Sequence, residues 1–193
     1  MEKIHLVSSS PRRQTLLDQM GIPFAVCPVD TEEDMTQKLS PEGLAIALSR
    51  EKLEAFLNEP PLDLKWAVAA DTFISYRNRR VGKPQNREEA EKELRSLSGM
   101  THQVLTGISL YSVRENTLIS EVDVTDVTFR PLSDREIRWY LDSGEWEGVA
   151  GSYRIQGKGE CLISGINGSY SNVMGLPITR FYGMLTKLNF QFD

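Results

Sequence analysis

The feature that most constrains the fold is a run of apolar residues that ends at a carboxylate. Residues 66–70, Trp-Ala-Val-Ala-Ala, are apolar at every position, and Asp71 follows them directly. An uninterrupted apolar run is typical of a strand that is covered on both faces, as in sheets with helices on either side. Because residues 72–76 continue the strand pattern, Asp71 would lie inside the strand, where an unused carboxylate is costly. The run therefore predicts an α/β protein with a functional carboxylate in a buried strand.

Helix starts and strand patterns predict the elements around this strand. Ser10-Pro11 and Ser40-Pro41 each combine a capping serine with a proline that fits the first helical turn. We expect helices over residues 11–20, 41–58, 86–98 and 133–141, and a last helix from Pro177 onward. We expect strands over residues 4–7, 24–27, 66–76, 103–111 and 118–129, and short strands with a hairpin turn at Asn167-Gly168 within residues 144–168. The pattern indicates one domain, residues 1–193, with a mixed sheet flanked by helices.

Composition and charge exclude several classes of protein. The 193 residues contain no apolar run near the ~20 residues that a membrane-spanning helix needs, and the polar start is unlike a signal peptide. Two cysteines make no disulfide framework, so we expect a cytoplasmic protein. The net charge is −5, from 22 Lys and Arg against 27 Asp and Glu, which argues against nucleic-acid binding. Two histidines, His5 and His102, are too few for a three-histidine metal site and offer little for a catalytic triad.

The first candidate site is the segment Ser-Ser-Ser-Pro-Arg-Arg at residues 8–13. A strand would lead through small hydroxyl residues into a helix N-terminus, where free N–H groups and the helix dipole favour an anion. Arg12 and Arg13 add fixed positive charge with a geometry suited to phosphate. The segment predicts a phosphate site, although a serine cap followed by two surface arginines explains this segment equally well.

The second candidate is Lys52, which lies on an otherwise apolar stripe. Leu44, Leu48, Lys52 and Phe56 follow at four-residue spacing on the second predicted helix, so that they share one face. A lysine whose stem packs while its ammonium reaches water is the better interpretation unless an anion site lies nearby.

The remaining candidates are carboxylates and one further lysine. Asp71 could hold a divalent metal or activate a water, and Glu32 or Glu33 in an acidic loop could share the metal, since Mg²⁺ prefers oxygen ligands. Lys83 is presented between Gly82 and Pro84, a common loop in itself. Together the cations could clamp a polyphosphate while the carboxylates hold a metal or direct a water. The set predicts phosphoryl chemistry with water as the nucleophile.

Several ordered motifs resemble those of the Maf family, and they cover nearly the whole chain. They are Ser8–Arg13, Ala70–Thr72, Gly82–Pro84, Leu97–Gly99 with His102 and Val104, Gly151–Gly157, Ile166–Tyr170 and Val173–Pro177. The resemblance implies the Maf/inosine-triphosphatase-like α/β fold, with an elongated mixed sheet and two lobes around a cleft. It also implies a homodimeric nucleoside triphosphate pyrophosphatase that uses a divalent cation, Mg or Mn, to release a monophosphate and pyrophosphate.

The resemblance also implies roles for individual residues. Asp71 matches the proton acceptor. For the metal we expect Asp71 as one ligand and favour Glu33 over Glu32 as the other. The positions that match the family's phosphate site are Ser10, Arg12, Arg13, Glu33, Lys52 and Lys83. We expect Ser8 to bind the substrate as well. The positions that separate the subfamilies are Arg12, Thr72 and Gln156, and these three residues resemble the dTTP/UTP type. The expected substrates are therefore dTTP, UTP or modified pyrimidine nucleotides.

One segment departs from the family's pattern. The family usually reads Pro-x-Asp-Lys-Ala-Gly-Ala-Tyr-Gly-Ile-Gln-Gly, whereas residues 146–156 here read Trp-Glu-Gly-Val-Ala-Gly-Ser-Tyr-Arg-Ile-Gln. The usual aspartate and lysine are absent, and Arg154 replaces a glycine. The departure lies close to Gln156 and therefore concerns the recognition of the base.

Two other functions are compatible with the same residues. Because the family is also linked to inhibition of septum formation, the chain could be a nucleotide-binding regulator that acts through a protein partner. A general phosphatase would release orthophosphate instead of pyrophosphate. The pairing of Asp71 with Lys52 and Lys83 favours the pyrophosphatase, since a binding protein needs the cations but no carboxylate beside repelling phosphates.

Overall fold

The computed structural model describes residues 1–30, 39–77 and 79–192. The chain divides into two compact units. The first unit comprises Met1–Asp71, Thr106–Asp123 and Gly175–Asp193, and the second comprises Thr72–Leu105 and Val124–Met174. No helix in the described parts of the chain is both long and apolar enough to span a membrane.

The described residues form seven strands and six α-helices, which largely alternate in the first half of the chain. The strands are β1 (Ile4–Val7), β2 (Phe24–Val26), β3 (Trp66–Tyr76), β4 (Arg79–Val81), β5 (Thr101–Ser112), β6 (Thr117–Phe129) and β7 (Ile163–Asn167). The helices are α1 (Pro11–Gln19), α2 (Pro41–Leu57), α3 (Arg87–Leu97), α4 (Asp134–Leu141), α5 (Tyr170–Met174) and α6 (Ile178–Lys187). Two short 3₁₀ turns cover Ala150–Ser152 and Lys158–Leu162.

The strands form a mixed sheet in the order β2-β1-β3-β5-β6-β7, with β4 paired to β3. β1 is parallel to both β2 and β3, while β4 and β7 are antiparallel to their neighbours. The predicted mixed α/β architecture is therefore confirmed. β1 and β3 are parallel, and Val7, the last residue of β1, lies opposite Ala69 in the first half of β3. Ser8 and Asp71 follow these two residues within the chain.

The core of the first unit explains why the run before Asp71 is apolar at every position. All five residues of the run, Trp66 to Ala70, are buried. Ala67 and Ala69 pack in a cluster with Val7 and with Leu53 and Phe56 of α2. Small residues on β3 let the helix lie close to the strand, so that a lysine on α2 can reach the end of the run.

The hairpin predicted within residues 144–168 is wrong. Strand β7 pairs antiparallel with β6, which is earlier in the chain, and Asn167-Gly168 leads into α5 instead of a second strand. Gly168 has a φ of 135°, and a Cβ there would lie 2.6 Å from Oγ1 of Thr125 on β6. The backbone N–H of Ser169 donates to the same hydroxyl at 2.9 Å. Glycine is therefore required at position 168 because the backbone there lies too close to β6 for a side chain. Strand β4 was also not expected from the sequence.

The second unit contains an aromatic cluster around a buried histidine. The rings of His102, Phe129 and Tyr153 pack edge to face, with centroids 4.9–5.5 Å apart. Nε2 of His102 and the hydroxyl of Tyr153 are 2.9 Å apart in a hydrogen bond. Burial lowers the pKa of His102 to about 4, so the imidazole is neutral at pH 7.

This histidine predicts a loss of stability in mild acid. The pKa of His102 is about 4 in the folded chain, against 6.5 for an ordinary histidine. As the pH falls from 6.5 towards 4, His102 therefore becomes protonated in the unfolded chain but stays neutral in the folded chain. We expect the free energy of unfolding to fall by about 2 kcal/mol between pH 7 and pH 5 from this group alone.

Urea titrations at the two pH values measure this loss. His102→Gln keeps a polar partner for Tyr153 and should remove the acid-dependent part, whereas His5→Gln should retain it. An equal loss between pH 7 and pH 5 in wild type and His102→Gln would contradict the assignment.

Candidate active site

The segment after β1 folds around the hydroxyl of Ser8. Its Oγ accepts hydrogen bonds from the backbone N–H of Ser10 at 3.2 Å and from Nη1 of Arg13 at 2.8 Å. Ser8 is buried, with 8% of its surface exposed, because it directly follows the buried strand. The Ser8 hydroxyl therefore stabilises the turn into α1 and also orients the guanidinium group of Arg13.

Arg13 is held in place by two groups and is partly desolvated. Its Nε donates to the carbonyl oxygen of Gly175 at 2.8 Å, in addition to the bond from Nη1 to Ser8. Burial lowers the pKa of Arg13 to about 10, while the Asp71 carboxylate raises it and the Arg12 charge lowers it. Arg13 therefore remains a cation at neutral pH, and its charge acts on Asp71.

Ser10 occupies the N-cap position of α1, as the sequence predicts. Its backbone is extended, and Pro11 takes the first helical position. In the described structure, however, the Ser10 hydroxyl makes no capping hydrogen bond to the helix. The early N–H groups of a helix lack intrahelical partners, so this end of α1 suits an anion that also meets Arg12.

Asp71 forms an ion pair with Lys52. The Nζ of Lys52 donates to Oδ1 of Asp71, and the two side chains are 20% and 8% exposed. The lysine on the apolar stripe of α2 thus contacts a buried carboxylate instead of merely reaching water. The second carboxylate oxygen, Oδ2, is buried and has no hydrogen-bond partner among the described residues.

Helix α2, which carries Lys52, packs closely against β5 at a glycine and is hydrogen-bonded to it through two serines. A Cβ at Gly107 would lie 1.8 Å from the carbonyl oxygen of Ala45, so only glycine lets the helix come this close. Ser49, one turn before Lys52, shares a hydrogen bond of 2.9 Å with the fully buried Ser109. Sequence reasoning missed these residues. The one feature of the sequence that could have indicated them is Ser49, a polar side chain on the buried face of the predicted helix.

The second unit holds three further predicted site residues. Thr72 is half-buried beside Asp71 on β3, whereas Lys83 and Gln156 are exposed. The segments that carry Lys83 and Gln156 are joined, since the backbone N–H of Gly151 donates to the carbonyl of Gly82 at 3.1 Å. Ser152, next in the chain, donates its hydroxyl to the carboxylate of Glu93 on α3.

The structure thus brings one group of predicted site residues together in the first unit. This group comprises Ser8, Ser10, Arg12, Arg13, Lys52 and Asp71. Glu33 and its neighbour Glu32 lie outside the described residues. Within the described residues, no group of three or more His, Cys, Asp or Glu side chains is arranged to hold a metal.

The family model and the curated relatives identify one family. A family model described as Maf-like protein matches residues 3–188. A "dTTP/UTP pyrophosphatase" of Carboxydothermus hydrogenoformans is 42% identical over 183 residues, which cover 93% of this chain and 95% of the relative. A protein of the same description from Escherichia coli O157:H7 is 40% identical and covers 98% of this chain and 94% of its own length. Among solved structures, the Staphylococcus aureus Ham1 protein matches 66% of this chain and 72% of its own, with a TM-score of 0.42 and 18% identity.

The ion pair between Lys52 and Asp71 predicts an asymmetric effect on stability. Lys52→Met keeps the apolar stem but leaves the Asp71 carboxylate buried without its closest cation. We expect a loss of about 2–3 kcal/mol of unfolding free energy, since Arg13 still compensates in part. Adding Asp71→Asn to Lys52→Met removes the unpaired charge and should recover part of that loss.

Chemical denaturation of wild type, the two single variants and the double variant measures the coupling between the two residues. Lys3 and Asp63 provide the matched control, because they form an ion pair of 2.6 Å with side chains 44% and 62% exposed. Lys3→Met should change the unfolding free energy by less than about 1 kcal/mol. Additive losses at Lys52 and Asp71 would contradict a stabilising pair.

Proposed function

The chain belongs to the family of Maf-like proteins, and we propose that it is a nucleoside triphosphate pyrophosphatase. Its substrates would be dTTP and UTP, together with modified pyrimidine nucleotides, which it would hydrolyse to the monophosphate and pyrophosphate. Three relatives at 40–42% identity that bear the description "dTTP/UTP pyrophosphatase" support the proposal. Each of them aligns over more than 90% of both chains, so the likeness is not confined to one motif.

The observation that carries the proposal is a carboxylate set among cations. Asp71 touches Lys52, and its charge acts on Arg13, which Ser8 and Gly175 hold in position. Fixed cations suit the charge that develops on phosphoryl oxygens during transfer. A carboxylate beside them repels phosphate and weakens binding, so its presence favours hydrolysis over simple binding of a nucleotide.

In the proposed reaction, water attacks the α-phosphorus and the bond from that phosphorus to the α,β-bridging oxygen breaks. Asp71 accepts a proton from the attacking water, and pyrophosphate leaves with the bridging oxygen. Arg12, Arg13 and Lys52 bind phosphate oxygens, and the N–H groups at the start of α1 add neutral donors. Lys83 stays a predicted phosphate contact, and Thr72 and Gln156 stay predicted determinants of the base.

A divalent cation, Mg²⁺ or Mn²⁺, is part of the proposal, and the donor set fits it. The Oδ2 atom of Asp71 is a buried oxygen without a partner in the described residues, which suits a hard cation as one ligand. Mg²⁺ usually takes one or two carboxylates and completes its shell with waters and substrate phosphates, so a cluster of three acidic side chains is not required. Glu33 remains the predicted second ligand. When bound, the cation would neutralise charge on the phosphates.

We also propose that the protein acts as a homodimer in the cytoplasm, without a nucleic-acid partner. The net charge of −5 supports the last point, since proteins that neutralise many backbone phosphates carry a basic surface. Sedimentation at micromolar concentration would test the dimer.

The decisive test of the activity is product analysis across a panel of nucleotides. We expect pyrophosphate, and no orthophosphate, with dTTP and UTP cleaved faster than CTP, ATP and GTP. Asp71→Asn should lower turnover by ~10²–10⁴-fold, because it removes the proton acceptor while nearly preserving the shape. Asp63→Asn, which alters an exposed aspartate that is also paired with a lysine, should leave turnover unchanged.

Release of orthophosphate alone would indicate a general phosphatase. Tight nucleotide binding without turnover in the presence of Mg²⁺ or Mn²⁺ would indicate the regulator of septum formation considered above. Wild-type turnover by Asp71→Asn would remove the role assigned to that residue.

Gln156 predicts how the base preference changes. A glutamine amide offers one donor and one acceptor group, which match the O4 and N3–H of uracil or thymine. An ionised glutamate can only accept, so Gln156→Glu would leave O4 without a donor, at a cost of ~1–3 kcal/mol. We expect the ratio of kcat/KM for UTP over CTP to fall about tenfold or more. Gln191→Glu, the same change at an exposed site, should leave the ratio unaltered, and a ratio unmoved by Gln156→Glu would contradict the assignment.

A further inference from the structure

The segment before Gln156 is closed by the side chain that departs from the family's pattern. Nη2 of Arg154 donates to the carbonyl of Glu147 at 2.9 Å, which joins two positions seven residues apart. The backbone N–H of the same residue donates to the hydroxyl of Tyr140 on α4 at 3.1 Å. Arg154 therefore joins two parts of this segment to each other and also connects the segment to α4.

A half-buried carboxylate lies on the other side of Gln156. Glu145 packs against the backbone of Gly157, where an added Cβ would lie 2.4 Å from Oε2. Burial raises the pKa of Tyr140 well above its usual range, the hydrogen bond from Arg154 lowers it, and the charge of Glu145 raises it again. Glu145 and Arg154 thus both lie near the Tyr140 hydroxyl.

Arg154 therefore fastens the chain before Gln156, and the Glu145 side chain lies against the backbone directly after it. The backbone N–H of Gly157 also donates to the carbonyl of Arg154 at 3.2 Å, so Gln156 lies inside a turn that begins at Arg154. Ile155, the intervening residue, is buried. Gln156 itself is exposed, so its own side chain is not what holds the turn.

Two polar atoms of these side chains are buried. Oε2 of Glu145 and Nε of Arg154 are buried without a hydrogen-bond partner in the described residues. Keeping an orphaned acceptor and an orphaned donor is costly in a purely structural loop. The cost indicates that the two side chains serve a purpose beyond the stability of the loop.

We propose that Arg154 and Glu145 are positioning residues that fix Gln156 for recognition of the base. This inference rests on the proposed function and adds residues to it. Arg154 joins the two ends of residues 147–154 through its bond to Glu147, and the Glu145 side chain fills the space beside Gly157 at the far end of the turn. The pair acts through Gln156 and does not contact the reacting phosphates, so it governs selectivity and the binding of the base.

Steady-state kinetics with UTP and CTP test the inference. In Arg154→Ala the ratio of kcat/KM for UTP over CTP should fall about tenfold, through a higher KM for UTP and with kcat nearly unchanged. Arg154→Lys keeps the charge but loses the planar fork, so it should restore the ratio only in part. Glu145→Gln should lower the ratio about threefold. Arg135→Ala, an exposed arginine on α4 in the same unit, is the control and should change nothing.

The outcomes separate the inference from the function on which it rests. An Arg154→Ala enzyme with an unchanged ratio and a lower thermal midpoint would show a merely structural role and overturn the inference. A wild-type enzyme that cleaves UTP and CTP equally would also overturn it, while the pyrophosphatase activity would stand. Absence of pyrophosphate release from every triphosphate would overturn both. Where Arg154→Ala does not fold, a ratio unchanged in both Arg154→Lys and Glu145→Gln decides against the inference.

Discussion

The ion pair between Lys52 and Asp71 is the interaction on which the rest of the site depends. Burying a carboxylate is costly unless a cation or several hydrogen bonds compensate it. Asp71 is 5% exposed within a strand whose preceding residues are all apolar, so its charge needs a partner from another element. Lys52 supplies this partner at Oδ1, which leaves Oδ2 available for a metal or a water. The site is thus built on one carboxylate whose two oxygens have different surroundings.

The supporting structure follows from the need to bring a helix close to that strand. Alanines on β3 and Gly107 on β5 remove the side chains that would keep α2 away. The hydrogen bond between Ser49 and Ser109 then fixes α2 along its axis, one turn from Lys52. Hydroxyls in an otherwise apolar layer have a direction that methyl groups lack. They therefore specify one position of the helix, and with it one position of the ammonium group.

Much of this arrangement could be predicted from the sequence, for physical reasons that differ between its parts. The run before Asp71 and the serine-proline pairs are local signals, and the strand and helices that they predict are present. The four-residue spacing placed Lys52 on a buried stripe, but its partner could not be known until β3 and α2 were packed. The segment 144–168 was mispredicted because distant contacts fix it. Tyr140 binds Arg154, Glu93 binds Ser152, and β7 pairs with a strand that precedes it by more than thirty residues.

A crystal structure with Mg²⁺ and a non-hydrolysable α,β-imido analogue of UTP would test the central claim directly. The account predicts that Oδ2 of Asp71 lies about 2.1 Å from the metal or is hydrogen-bonded to a water facing the α-phosphorus, while Oδ1 keeps its contact with Lys52. Phosphate oxygens should contact Arg12, Arg13 and the start of α1. A structure in which the metal and the α-phosphate bind elsewhere, with Oδ2 still buried and without a partner, would contradict the account.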